Sequence, residues 1–390
     1  MVLTKPTTLG QIAKFVDFGD FKVFKDAGIQ TMIFVFKKRK PKKSYQTSYT
    51  KITDKNIGED MVNLLLQSNL KAGNGRIAKF DATINPKQLT GKNIVFTNQI
   101  NGEILNKIES RKNLELTEKE VANGIHPHYD FVNKAISAKH GNKFEIGEGI
   151  FGLTSKEKEN LHLAKEEKSL IKPYFTTKQL GRYYANPNNI LWLIYTDSKF
   201  KNPKEMKPYP NIKTHLDRFK NVITSDNKPY GLHRARDERF FLGEKIIVQR
   251  KCTNRPVFTY TDFDCYISAT FYVIKTERLN QKYLAGLLNS NLIKYWLKNK
   301  GKMQGSNFQI DKEPLLNLPL IKPDEKTQNE IALLVEKAIK LYQDFRNTSA
   351  NTDKWHSLKN EIEKLEQQID EAIYKLYGLT NEEIKTIEKI

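Results

Sequence analysis

Between residues 190 and 275 the chain carries four short runs rich in β-branched and aromatic residues: ILWLIY (190–195), KIIVQR (245–250), VFTYT (257–261) and CYISATFYVIK (265–275). Each is bounded by turn residues, and runs of this kind read as strands. They predict a β-rich domain of antiparallel or mixed character. The next segment changes period. In QKYLAGLLNSNLIKYWLKNK (281–300), Leu284, Leu287, Leu288, Leu292 and Trp296 recur at helical spacing, and Gly301 is a natural stop. Further on, Ile331, Leu334, Val335, Ala338 and Leu341 mark a helix from about Lys326 to Arg346. Leu358, Ile362, Leu365, Ile369, Ile373 and Leu376, spaced by 4, 3, 4, 4 and 3, mark another from about Lys354 to Tyr377. The polar stretch NTSANTD (347–353) joins them into a helical hairpin.

The amino-terminal part is less regular. QIAKFVDFG (11–19) reads as a short strand ending at Gly19. IQTMIFVFKK (29–38) reads as a stronger one; Ile33, Phe34, Val35 and Phe36 are nearly continuous apolar residues, as in a strand buried on both faces. Residues 59–71 suit a short helix with Met61, Leu64, Leu65 and Leu70 on its apolar face. The stretch 73–115 reads as irregular, with one strand at 93–98, and 155–170 as a charged helix-like run. Gly147, Gly149 and Gly152 fit a turn between strands. No GxxxxGK[ST] occurs, so they are not a phosphate loop. The expected fold class is α+β, in three segments: 1–58, 59–323 and 324–390.

Lysine and arginine number 65 against 45 acids, a net charge of +20. The excess is uneven. Residues 1–150 hold 24 basic and 15 acidic residues, 151–310 hold 29 and 14, and 311–390 hold 12 and 16. A basic middle can neutralise phosphates, whereas an acidic tail repels them and is expected to pack on protein. The charge points to a polyanionic partner, nucleic acid first and an anionic membrane surface second. No apolar run approaches the ~18 residues that span a bilayer. MVLTKPTTLG lacks the pattern of a secretory signal. Two cysteines, Cys252 and Cys265, cannot build a disulfide framework and are expected as reduced thiols in a cytoplasmic protein.

Several places suit contact with nucleic acid. The run KKRKPKK (37–43), with Lys37, Lys38, Arg39 and Lys40, is either a solubilising loop or a contact with the phosphate backbone. Arg234, Arg236 and Arg239 lie close together beside Phe240 and Phe241. Arg250, Lys251 and Arg255 follow a strand. Lys298, Lys300, Lys302, Gln304, Ser306 and Asn307 surround Gly301 and Gly305, and a glycine-flanked loop can approach DNA closely. Arginine can pair with guanine, and Gln or Asn with adenine. Any one of these charges could instead be solvated or paired, for example with Asp237 or Glu238.

Catalytic patterns are absent. The seven histidines form no HExxH or comparable metal set, and His126 and His128, flanking Pro127, read as a surface loop. There is no GxSxG elbow and no nucleophile–base pair. Pro323-Asp324-Glu325-Lys326 is only faintly nuclease-like, and Asp324 suits a helix cap.

Several stretches, in order, resemble the TaqI-like N6-adenine DNA methyltransferases, including type II enzymes that fuse methylation and restriction. FVDFGDFKVFKDAGIQTMIFVFKK (15–38) looks like the end of the methyltransferase fold. GEGIFGL (147–153), IKPYFTTKQLGRYY (171–184), PNIKTHLDRFKNVI (210–223), GLHRARDERFFLGEKIIVQRK (231–251) and YLAGLLNSNLIKYWLKNKG (283–301) are similar to the target-recognition domain. EPLLNLPLIKP (313–323) and IDEAIYKLYGLTNEEI (369–384) complete the series. The resemblance covers most of residues 11–390 and is weakest at 45–120.

It implies that 1–58 is the remnant of an α/β methyltransferase sheet, 59–323 a β-rich DNA target-recognition domain and 324–390 the closing helical hairpin. It also implies that Phe24 stacks on a flipped-out adenine. The family's glycine-rich turn for S-adenosylmethionine and its Asn-Pro-Pro-Tyr loop do not occur in this sequence. The chain is therefore expected to bind double-stranded DNA for a site-specific adenine methyltransferase whose other half or subunit carries the cofactor. Alone it is expected to be inactive and to hold no cofactor, metal or catalytic residue. It resembles a split-gene subunit or a truncated remnant. The alternative expectation is a non-catalytic nucleic-acid-binding protein derived from the family.

Overall fold

The computed structural model describes residues 10–24, 26, 29–39, 44–54, 56–67, 75–84, 94, 96–304 and 307–389. The chain divides into two compact units. The first comprises Met1–Arg111, Trp296–Ser306 and Thr380–Ile390; the second comprises Lys112–Tyr295 and Asn307–Leu379.

The first unit is built on four strands, β1 (Gln11–Asp17), β2 (Met32–Lys37), β3 (Tyr45–Ile52) and β4 (Ile77–Ile84), in the order β2-β1-β3-β4. β1 runs antiparallel to β2 and parallel to β3, and β4 returns antiparallel to β3. Alternation along the strands sorts the side chains onto two faces. On one, Val16, Ile52 and Ile77 pack with Val62 and Leu65 of the helix Glu59–Leu66. On the other, the Phe15 ring lies 4.5 Å from Phe34 and from Phe96 and 5.5 Å from Tyr49, which in turn meets Phe80 at 4.9 Å.

Three expectations are corrected here. β2 is not buried on both faces. It is the sheet edge, where Ile33, Val35 and Phe36 are 37%, 44% and 42% exposed. A run of apolar residues records the composition of a strand, while burial on both faces also needs a layer packed over each face; among the described residues β2 is the edge strand, paired with β1. In the helix Glu59–Leu66, Val62 and Leu65 are buried and Met61 packs against them as expected, whereas Leu64 faces out; Leu70 lies outside the described residues. Residues 94 and 96–98 are not strand. Instead β4 and the helix Gln99–Ser110 occupy the stretch that reads as irregular. The Asn98 side chain caps that helix by accepting from Asn101 N at 2.8 Å.

The second unit holds the β-rich region. Its strands are β5 (Val121–Asn123), β6 (Gly152–Thr154), β7 (Ile171–Phe175), β8 (Leu191–Ile194), β9 (Lys245–Gln249), β10 (Lys251–Thr253), β11 (Phe258–Thr261), β12 (Tyr266–Ile267) and β13 (Phe271–Ile274). They form one sheet in the order β11-β9-β13-β5 and another in the order β12-β7-β8-β6. β10 pairs with the strand Asn307–Gln309. Phe151, Phe175, Ile194, Phe219, Phe241 and Tyr266 belong to one shared apolar cluster.

The helix expected over 281–300 is two helices, Gln281–Asn289 and Asn291–Lys300. Ser290 breaks them with ψ 156°, and its hydroxyl donates to Leu287 O at 2.7 Å and accepts from Ile293 N at 3.3 Å. Asn289 pins the first helix to β11 through Phe258 N (3.2 Å) and Phe258 O (2.7 Å). The hairpin is present as Glu325–Arg346 and Asp353–Tyr377, with Asp324 capping the first helix through Thr327 N at 2.9 Å. Gly286 lets the Gln281–Asn289 helix approach it; a Cβ there would sit 2.8 Å from Val335 Cγ2. The molecule is thus α+β, as expected.

Candidate nucleic-acid interface

The loop before β9 brings the first arginine group to the surface. Arg234 exchanges two backbone hydrogen bonds with His126: Arg234 N donates to His126 O at 2.9 Å, and His126 N to Arg234 O at 3.0 Å. Two residues on, Arg236 takes a left-handed conformation, φ 71°. A side chain other than glycine is held there only by its surroundings, and such positions cluster at functional sites. Here Arg236 Nε donates to Gly124 O at 3.3 Å, and Tyr195 OH donates to Arg236 O at 3.2 Å. Gly124 itself packs against the Ser268 backbone, where a Cβ would collide with Ser268 O. Both arginines are exposed. Arg234 faces Asp226 Oδ2 at 3.6 Å across solvent, a weak pair. Arg239 is also exposed, but it is paired with Asp237 at 2.7 Å, donates to Lys119 O at 2.8 Å and covers the Phe240 ring at 4.7 Å.

The same strand-like pairing gathers three histidines. The ring centroids of His126 and His233 are 5.1 Å apart, those of His128 and His233 5.7 Å, and those of His126 and His128 6.3 Å. His128 has φ 86°, stacks on Tyr129 at 4.4 Å and shares a 2.5 Å hydrogen bond with Thr224 Oγ1. His233 Nδ1 is buried without a hydrogen bond, 3.7 Å from Asp226 Oδ2. Burial, then the cations around it, hold the His126 imidazole below its ordinary value; burial and then His233 do the same for His128. The sequence reads His126 and His128 as a surface loop and does not show His233 beside them. Its only available signal was the His-Pro-His spacing, and nothing in the sequence joins positions 126 and 233. Among the described residues, no group of three or more His, Cys, Asp or Glu side chains is placed to hold a metal ion.

The other candidates fall elsewhere. Arg250 is half-buried: it pairs with Asp311 at 2.8 Å, donates to Ala269 O at 3.1 Å and lies over the Tyr272 ring at 5.2 Å. Arg255 reaches Glu366 Oε2 at 3.2 Å. Lys251 and Asn307 are exposed on the paired strands. In the first unit, Lys37, Lys38 and Arg39 are exposed. Lys300 pairs with Glu109 at 3.3 Å, and Lys302 and Gln304 lie on a short strand. Phe24 is 56% exposed, so it is not sheet core. Lys40 and Ser306 lie outside the described residues. Both cysteines are free and buried, and burial pushes Cys252 up to about 11 and Cys265 up to about 12. No helix among the described residues is long and apolar enough to cross a membrane.

Residues 172–320 match the family described as the TaqI-like C-terminal specificity domain. This part of the chain is a TaqI-like specificity domain. It includes β7 to β13, the Arg234–Arg239 loop and His233, while His126 and His128 precede it. No curated protein matches the chain significantly. Among solved structures the chain is similar to the Type IIL restriction-modification enzyme MmeI, determined in complex with DNA. That alignment has 16% identity and a TM-score of 0.59, and covers 98% of this chain and 46% of that one. The type IIG restriction endonuclease BpuSI aligns at 10% identity and a TM-score of 0.34, over 95% of this chain and 44% of that one. The chain thus spans less than half the length of either. The likeness to MmeI is one of fold; the TaqI-like specificity domain is identified by its own sequence.

Proposed function

We propose that this chain reads a DNA target site for a restriction-modification adenine-N6 methyltransferase. The observation that carries this reading is the TaqI-like specificity domain over 172–320, whose Arg234–Arg239 loop stands exposed. Arg234 and Arg236 hold phosphates or read guanine edges, because a guanidinium offers two parallel donors to either. The restrained conformation of Arg236 supports the reading, since a fixed donor loses less freedom on binding.

The methyl-transfer machinery belongs, in this reading, to another segment or subunit. The sequence has neither the glycine-rich turn nor the Asn-Pro-Pro-Tyr loop. At the end of β1, Asp17 is engaged by Gly19 N (2.8 Å), Gln30 Nε2 (3.2 Å) and Lys51 (3.6 Å). β2 is the edge strand among the described residues, with Ile33, Val35 and Phe36 exposed, and the catalytic half would continue the sheet from it. Phe24, exposed near that edge in sequence, would stack on the extruded adenine, since a base leaving the helix needs an apolar face.

The test is selection from a randomised duplex DNA pool with the purified chain at near-physiological salt. Enrichment of one motif containing an adenine is the expected result. Salt-insensitive binding, or none, overturns the proposal. A preference for single-stranded RNA replaces it with a non-catalytic RNA-binding role.

A further inference from the structure

We propose that His126, His128 and His233, with Arg234 and Arg236, form a protonation-gated site for a DNA backbone phosphate. The inference rests on the DNA-reading function proposed above and adds to it a proton that is taken up on binding.

The geometry is that of an anion site. Three imidazoles lie within 5.1 to 6.3 Å of one another by ring centroid, on a surface that also carries two exposed guanidinium groups. Two of the five residues are held in left-handed backbone conformations, His128 and Arg236. The groups facing the cluster are few. His126 meets His128, His233, Arg234 and Arg236. His128 meets Tyr129, Thr224, His233 and Asp226. Arg236 meets Arg234 and Tyr272. The carboxylate in this set is Asp226, which is 68% exposed and stands 3.6 Å from Arg234 and 3.7 Å from His233. Burial first, and then the positive groups beside them, favour the neutral forms of His126 and His128 in the free protein. A phosphate placed among them reverses that balance and draws protons back.

The direction follows from linkage. His126 and His128 are held below the ordinary imidazole value in the free protein, and a neighbouring phosphate raises them. Binding therefore takes up protons between the free and bound values, and affinity grows as pH falls through that window. The gain is about tenfold per pH unit for each proton taken up. Below the free values it levels off.

The experiment measures duplex DNA affinity from pH 8 to pH 5.5 at constant ionic strength. It uses the full chain, the triple variant H126Q/H128Q/H233Q and the single variant D226N, each checked for folding by thermal melting at every pH. The wild type should tighten by at least about tenfold as pH falls, for uptake of about one proton. The triple variant should lose that tightening. D226N should bind more tightly than the wild type at pH 8, because its competing carboxylate is gone, and it keeps the proposal testable if the triple variant does not fold. DNA binding that does not change with pH, a triple variant that tightens like the wild type, or a D226N variant no tighter than wild type overturns this inference alone. No DNA binding at any pH overturns the function on which it rests.

Discussion

Arg182 Nη1 lies 2.9 Å from Glu366 Oε1, although the two residues are 184 positions apart. Arg182 Nη2 also donates to Asn289 O at 2.5 Å, Tyr342 OH donates to the same Glu366 oxygen at 2.6 Å, and Arg255 occupies the other at 3.2 Å. One carboxylate on the second hairpin helix thus ties the specificity domain to the hairpin. Burial opposes the charge on Arg182, but Tyr183 and Glu366 beside it raise its pKa on balance. This explains why the acidic tail packs on protein, and it assigns Arg255 to the clamp.

Breaking the clamp on one side should be costly. Glu366→Ala leaves Arg182 buried and unpaired, and denaturant unfolding should show a loss of about 3–5 kcal/mol. The apolar double variant R182M/E366L should lose less than E366A alone, because no charge is then stranded. A double variant as unstable as the single one contradicts the clamp.

The exposed arginines should matter for DNA and the clamped one should not. Reversal of both Arg234 and Arg236 to Glu should weaken duplex binding far more than Arg255→Ala, which should lower the melting temperature instead. With about six phosphates neutralised, log K should fall with log salt at a slope near −5. A slope flatter than about −2 rules out a groove lined by phosphate contacts.

Acid should unfold the second unit in part through Glu120. Burial alone would raise this carboxyl, but hydrogen bonds from Arg278, Thr276 and Thr117 outweigh it and bring it down to about 2. Its unfolded value is near 4.5. A depressed carboxyl stabilises above its unfolded value and loses that contribution as pH falls through the folded one. Stability should therefore drop between about pH 5 and 2, and Glu120→Gln should flatten that drop in a pH series of unfolding curves. An unchanged drop removes Glu120 as its source.

Phe24→Ala should reduce capture of an extrahelical base once the catalytic half is present. Duplex DNA carrying 2-aminopurine at the target adenine reports this by fluorescence. Equal fluorescence changes with wild type and variant count against the stacking role.

The hairpin was legible because its apolar positions keep a helical period over many turns, and long periodic segments survive any tertiary context. β8, β9 and β11 were legible from their aromatic and β-branched residues, while the run 265–275 reads as one strand and is two, β12 and β13, and β10 carries no such signal. β2 shows the limit: IFVF names a strand but cannot say what packs over its faces. Ser290 was hidden by the leucines that flank it. The arginine loop was visible as charge, yet charge could not separate Arg234, which is exposed, from Arg250 and Arg255, which are taken by Asp311 and Glu366. The histidine cluster depends on a backbone pairing between residues 126 and 234 that no local pattern announces.

The two buried thiols turn the second unit into its own reporter. Cys252 and Cys265 are 3% and 0% exposed, and both are held in the protonated form. A thiol reagent attacks only a thiolate that it can reach. Labelling at these positions therefore waits for the β-rich region to open, and its rate counts openings directly. DNA that grips the arginine loop should slow that clock without touching either sulfur.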